Sequence, residues 1–208
     1  MNEYYEIKNN TTIYYYKINK GKKIRISKNE YNKQNGLFPF KKIYYINLKK
    51  SIERNTHMKK IIGDNDLTDI TERVEGIDGK KLDVNSFYPK IITINSKNLI
   101  LGNPIYRRYG CDMTHGGLGI ALSFKKTWEK INKTHELSLI LEDDIIYDKK
   151  MKDKIIKNIK DLPEEWDILY LGIHNYNKIM KSSVIKYNKY FSQIIPGTII
   201  FGLFAYVI

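Results

Sequence analysis

Residues Leu137 to Lys150 read LSLILEDDIIYDKK. Five mostly apolar residues run straight into Glu142, Asp143 and Asp144, and the apolar character then resumes. The run reads as a buried strand. Three adjacent carboxylates at its end repel one another unless water or a cation compensates them. Alternation along a strand sends Glu142 and Asp144 to one side and Asp143 to the other. A divalent cation is the economical compensator, because Mg²⁺ or Mn²⁺ favours one or two carboxylates completed by phosphate and water. The plainer alternative is that the acids cap the next helix or lie in solvent.

Outward from this stretch, strands and helices alternate. On the N-terminal side, IYYINL (43–48) is a compact run of β formers, and Ser51 is a suitable N-cap for a helix in which Ile52, Met58, Ile61 and Ile62 share part of a face. RVEGIDGKKL (73–82) reads as a short strand and a glycine-bounded turn. Leu118 to Asn132 is an amphipathic helix whose Leu118, Ala121, Leu122, Trp128 and Ile131 form one buried stripe. On the C-terminal side, Met151, Ile155, Ile156 and Ile159 mark a helix ended by Asp161-Leu162-Pro163. WDILYLG (166–172) is a further buried strand. This order predicts an α/β domain with a mostly parallel sheet, in which ligands collect beyond the carboxyl ends of the strands.

Residues 1–40 differ in texture and are expected to form a small N-terminal β-rich extension, with 41–208 as the main domain. TIYYYKI and KIRISK flank Asn19-Lys20-Gly21-Lys22, which predicts a hairpin. Tyr14, Tyr15, Tyr16, Ile18, Ile24 and Ile26 suit a half-buried pleated face. Asn35-Gly36 and Pro39 then punctuate the chain.

The chain has 208 residues, of which 42% are hydrophobic and 28% charged. That is ordinary for a soluble domain and excludes wholesale disorder. The formal charge of +13 comes mostly from scattered lysines, so no nucleic-acid partner is expected, although an acidic partner such as a nucleotide diphosphate is compatible. Abundant Asn, Ile, Lys and Tyr point to an AT-rich genome, such as that of a large DNA virus or an AT-rich microbe. The single cysteine, Cys111, fits a reducing, cytoplasmic setting. No secretory signal is expected from Met1 to Lys8, which is polar and acidic as well as aromatic. The apolar C-terminal run from Ile194 is interrupted by Pro196, Gly197 and Gly202 and falls short of the roughly 20 residues of a membrane span; one or two buried strands are expected there. His57, His115, His135 and His174 lack metal-ligand spacing. There is neither a Walker loop nor a dinucleotide fingerprint.

Several segments, in order, resemble glycosyltransferase family 25, which includes lipooligosaccharide and procollagen galactosyltransferases. They are Ile46-Asn47-Leu48 with Arg54, Arg73-Val74-Glu75-Gly76-Ile77-Asp78-Gly79, and Gly116 to Phe124 with Trp128. Leu141 to Asp144, Trp166 to Gly172, and Gly202 to Ile208 complete the series, which covers about residues 43 to 208. The resemblance implies a GT-A-like, Rossmann-type nucleotide-binding fold and a metal-dependent, inverting hexosyltransferase using a UDP-sugar, typically UDP-galactose. The acceptor would be a hydroxyl of a glycan, as in lipopolysaccharide biosynthesis, or of a protein, with collagen-like hydroxylysine as one case. It further implies Glu142 and Asp144 as ligands of Mn²⁺ (or Mg²⁺), with donor-binding roles for Asn47, Leu48, Arg54, Asp78, Gly79 and Asp143.

Two departures bear on activity. Gly117 and Phe124 stand where the family usually has Glu and His. The chain also stops at Ile208, where the family's matching strand continues, so a C-terminally truncated relative is expected. An inverting transfer needs a base near the acceptor hydroxyl, for which Asp144 is the catalytic candidate, with Asp112 and Glu129 as alternatives. A donor-binding but catalytically weak homologue and a basic nucleic-acid-binding protein are the competing readings.

Overall fold

The computed structural model describes residues 3–9, 12–26, 40–102, 113–147, 154–155, 158–163, 165–172, 184–189, 191–195 and 205–208. Asn35, Gly36, Pro39, Cys111, Asp112, Met151, Ile156, His174, Pro196, Gly197 and Gly202 lie outside them.

β1 (Glu3–Asn9), β2 (Thr12–Asn19) and β3 (Lys22–Ile26) form an antiparallel sheet in that order. The expected hairpin joins β2 to β3. Its two turn residues, Lys20 and Gly21, take φ of 49° and 74°, the left-handed pair that matches strand twist across a two-residue loop. β1 was not foreseen, because its residues mix acidic, basic and aromatic types without clean alternation. The register also divides the expected apolar face. Tyr15 pairs with Ile26 and Lys17 with Ile24, while Tyr16 pairs with Arg25 and Ile18 with Lys23. Ile24 and Ile26 therefore face away from Tyr16 and Ile18.

The main sheet has five strands in the order β5-β4-β6-β10-β7. β4 (Lys42–Leu48) runs parallel to both β5 (Thr71–Gly76) and β6 (Ser138–Glu142). β10 (Ala205–Val207) is inserted antiparallel between β6 and β7 (Leu169–Gly172). Four strands thus share one direction, and the sheet is mostly parallel, as expected. A short antiparallel pair, β8 (Val184–Lys186) and β9 (Ser192–Ile194), lies apart from it.

Helices cover both faces, which is why β4 and β6 read as nearly continuous apolar runs. α1 (Ile52–Asp64) packs Met58 and Ile62 on Ile43, Tyr45, Leu139, Leu141, Ala205 and Val207. The long helix α3 (His115–Thr134) packs Phe124 and Ile131 on Tyr44, Val74, Ile140 and Tyr206. Between them in sequence, α2 (Ile94–Ile100) joins Val84, Ile92 and Leu118 in a satellite core. No described helix is long and apolar enough to cross a membrane.

Three packing expectations need correction. Ile52 is exposed at the first turn of α1, so the buried row there is Met58 and Ile62. On α3 the buried row is Leu118, Gly119, Ser123, Phe124, Thr127 and Ile131, while Trp128 is 41% exposed. Gly119 and Ser123 set that helix against the loop after β5, and Trp128 lies at the rim, where its Nε1 donates to the Tyr206 hydroxyl. β7 is an edge strand and only half-buried, whereas the C-terminal β10 is fully buried.

Candidate functional site

Parallel pairing brings the carboxyl ends of β5, β4 and β6 to one edge, with Ile46 opposite Glu142 and Leu48 opposite Gly76. On the α1 side of that edge lies a continuous polar chain. Asn47, only 1% exposed, donates through Nδ2 to Asp143 Oδ2 at 2.6 Å and to the Ser51 carbonyl at 3.1 Å. Asp143 is also buried, and its other oxygen accepts from Arg54 Nη1 at 3.0 Å. The same guanidinium nitrogen lies 3.1 Å from Asp144 Oδ2. The bond to Asp143 pushes the Arg54 pKa up, and burial opposes it only in part. Arg54 reaches this position because Ser51 starts α1, although the Ser51 side chain makes no capping bond.

The alternation expected of Glu142-Asp143-Asp144 holds for the first two residues and fails at the third. Glu142 ends β6 on the α3 face and Asp143 turns to the α1 face. The strand stops there, and the turn carries Asp144 to Arg54 as well. Glu142 makes no described hydrogen bond or ion pair. Burial raises its pKa, the nearby Asp144 and Asp143 raise it further, and Arg54 lowers it.

The remaining expected residues lie at the ends of β4 and β5 and in the loop after β5. Asp78 accepts from Lys50 Nζ at 2.6 Å, which holds its pKa below the usual carboxylate range. It also caps the short turn that follows by accepting from the Lys80 backbone. Gly79 is buried against the start of α3, and Leu48 is half-buried over Gly76. Of the other base candidates, Glu129 pairs with Lys125 on α3. It lines a cavity with Trp128, His135, Leu137 and Ile208, at the edge where β6 begins rather than where it ends. Phe124 stacks on Trp128 and packs against Tyr206, whose hydroxyl accepts from Trp128 Nε1 at 2.7 Å.

Two cations at the site were not assigned roles from the sequence, Lys50 and Arg73. Arg73 Nε donates to Asn47 Oδ1 at 2.9 Å. The signal lay in the parallel register, which sets Arg73 opposite Tyr45 and so on the same face as Asn47.

Among the described residues, no three His, Cys, Asp or Glu side chains converge as a metal-holding group. Glu142 and the solvent-facing Asp144 remain as a two-carboxylate donor set. A hard divalent cation takes carboxylates of this kind together with phosphate and water, but Asp144 already pairs with Arg54, and the pKa of Glu142 is raised first by its burial.

The sequence profile of glycosyltransferase family 25 (LPS biosynthesis protein) matches residues 40–195. The chain belongs to glycosyltransferase family 25. The chain is similar to procollagen galactosyltransferase 2 of Homo sapiens, 30% identical over 139 residues, and to that of Mus musculus, 29% identical over the same length. Each match covers 64% of this chain and 21% of the relative, so the chain spans about a fifth of the curated relatives it matches. The mixed α/β fold, with its mostly parallel sheet, is consistent with a GT-A-like, Rossmann-type domain for this family 25 chain.

Proposed function

We propose that this family 25 chain binds a UDP-sugar, with galactose as the first candidate sugar, at the carboxyl ends of β4 and β6, and transfers the sugar with inversion to a glycan or protein hydroxyl. One observation carries the reading. In a chain of this family, the strand ends hold the joined Asn47–Asp143–Arg54–Asp144 chain beside a carboxylate, Glu142, that makes no salt bridge among the described residues and that Arg54 stabilises without contact.

Glu142 and Asp144 would hold Mn²⁺ or Mg²⁺, which supplies neutralisation of the diphosphate on the departing nucleotide. Arg54, anchored by Asp143, presents a fixed positive charge at the same edge, so little reorganisation is needed as charge develops. Asn47 and Asp143 serve from beneath, since both are buried and bonded within the protein. Asp144 is the exposed carboxylate of the group. The collagen-modifying name of the relatives makes a protein hydroxyl the first acceptor class to screen.

Thermal unfolding tests the reading. A UDP-sugar at 100 times its Kd adds about 2.7 kcal/mol, which is roughly 5–10 °C for a chain of this size. UDP-galactose with Mn²⁺ is expected to give such a shift, and Asp144→Ala to lose most of it. Unchanged melting with every UDP-sugar, with and without Mn²⁺, overturns the proposal.

A further inference from the structure

Arg73 is committed to Asn47 in a way that strand pairing alone does not require. Its Nε donates to Asn47 Oδ1 at 2.9 Å and its Nη2 lies 3.4 Å from the Asn47 carbonyl. No carboxylate forms an ion pair with it among the described residues. A carboxamide has one accepting end and one donating end, related by a half-turn of the side chain. Arginine only donates, so Oδ1 must face Arg73 and Nδ2 must face away from it. Nδ2 then meets Asp143 at 2.6 Å and the Ser51 carbonyl at 3.1 Å, at the entrance to α1.

The chain of dependence continues. With one Asp143 oxygen held by Asn47, the other is left for Arg54, and Arg54 also holds Asp144. Arg73 of β5, Asn47 of β4, Asp143 in the turn after β6 and Arg54 of α1 therefore form one hydrogen-bonded line that starts at Arg73. We infer that Arg73 is a positioning residue for the donor site: it fixes the Asn47 amide, and through it Asp143 and Arg54, without touching the donor. This rests on the donor-site reading above. Lysine is a poor substitute, because a single ammonium cannot grip both the side-chain and main-chain oxygens of Asn47 with a rigid fork. If Arg73 only bolts β5 to β4, its loss lowers stability and leaves donor affinity alone.

The test uses the full ¹⁵N-labelled chain. The Asn47 side-chain amide is identified by its disappearance in Asn47→Ala. In the wild type its two protons are expected as separate, slowly exchanging signals, each locked in a hydrogen bond. In Arg73→Met and Arg73→Lys they should exchange at least tenfold faster, and the Arg54 guanidinium signal should move. By calorimetry, Arg73→Met should weaken UDP-sugar binding about tenfold, but by less than threefold in an Asn47→Ala background, where nothing remains to transmit the effect. An unchanged Asn47 amide, an unmoved Arg54 signal, or equal losses in both backgrounds overturns the inference. The spectra need no donor. If no UDP-sugar binds the wild type, the donor reading fails separately, and the spectra still decide whether Arg73 sets Asn47 and Arg54.

Discussion

Glu142 and Asp143 are neighbours with opposite surroundings. Asp143 has both oxygens engaged by Asn47 and Arg54, whereas Glu142 sits half-buried on the α3 face with no described partner. Its raised pKa, caused first by burial and then by Asp144 and Asp143, means that the folded chain binds this proton more readily than the unfolded chain. Such a group favours folding below the ordinary glutamate pKa of about 4.3, and that contribution is lost as pH rises through the folded value. Near neutral pH, charged Glu142 therefore works against folding unless a cation joins it. Glu142→Gln should raise Tm at pH 7 without metal, with the gain shrinking as pH falls toward 4, while the Mn²⁺-dependent response to UDP-galactose is reduced. A Tm at or below that of the wild type at pH 7 would contradict this account.

At the scale of elements, the docking of α3 on the loop after β5 depends on two glycines. A Cβ on Gly79 would stand 1.7 Å from the His115 carbonyl oxygen, and one on Gly119 would stand 2.5 Å from that of Ile77. Both clashes are with backbone, which cannot rotate away. Ser123 closes the same contact, accepting from the Ile77 N–H at 2.8 Å and donating to the Gly119 carbonyl at 2.6 Å. Gly79→Ala and Gly119→Ala should each destabilise by about 1–3 kcal/mol, with each kcal/mol lowering Tm by about 2–4 °C. Gly63→Ala is the opposite case. It lies in α1 with nothing within 4 Å of its Cβ position, so helix propensity should stabilise it by about 0.5–1 kcal/mol. Equal effects at all three positions in calorimetric melts would refute the close-packing explanation. The sequence marks Gly79 and Gly119 only as turn and helix residues. Neither residue reveals alone that the other is its neighbour.

Across the whole molecule, the sheet depends on its last strand. Tyr206 and Val207 are 1% and 0% exposed, and β10 bonds to β6 on one side and β7 on the other. Ile208 adds a reciprocal backbone pair with Ser138. Removing residues 205–208 would open both neighbouring strands and uncover Leu141, Ile140 and Leu139. The shortened chain should lose its cooperative unfolding transition, followed by circular dichroism. A sharp transition retained near the wild-type temperature would show that β10 is dispensable.

Local pattern determined much of this protein. The apolar runs of β4 and β6, the long helix through Leu118 and Ile131, the Lys20-Gly21 turn and the acidic strand end were legible because each depends on residues close in sequence. Tertiary structure alone decided which face Trp128 took, that β10 rather than β7 became a central strand, and that Asp144 joined Asp143 on Arg54. It also decided that Arg73, 26 residues from Asn47, holds that amide. The physical reason is common to all of these. Side-chain alternation and helical period are set by the backbone within a few residues, but strand order, depth of burial and hydrogen-bond partners are set by which distant surfaces exclude water together.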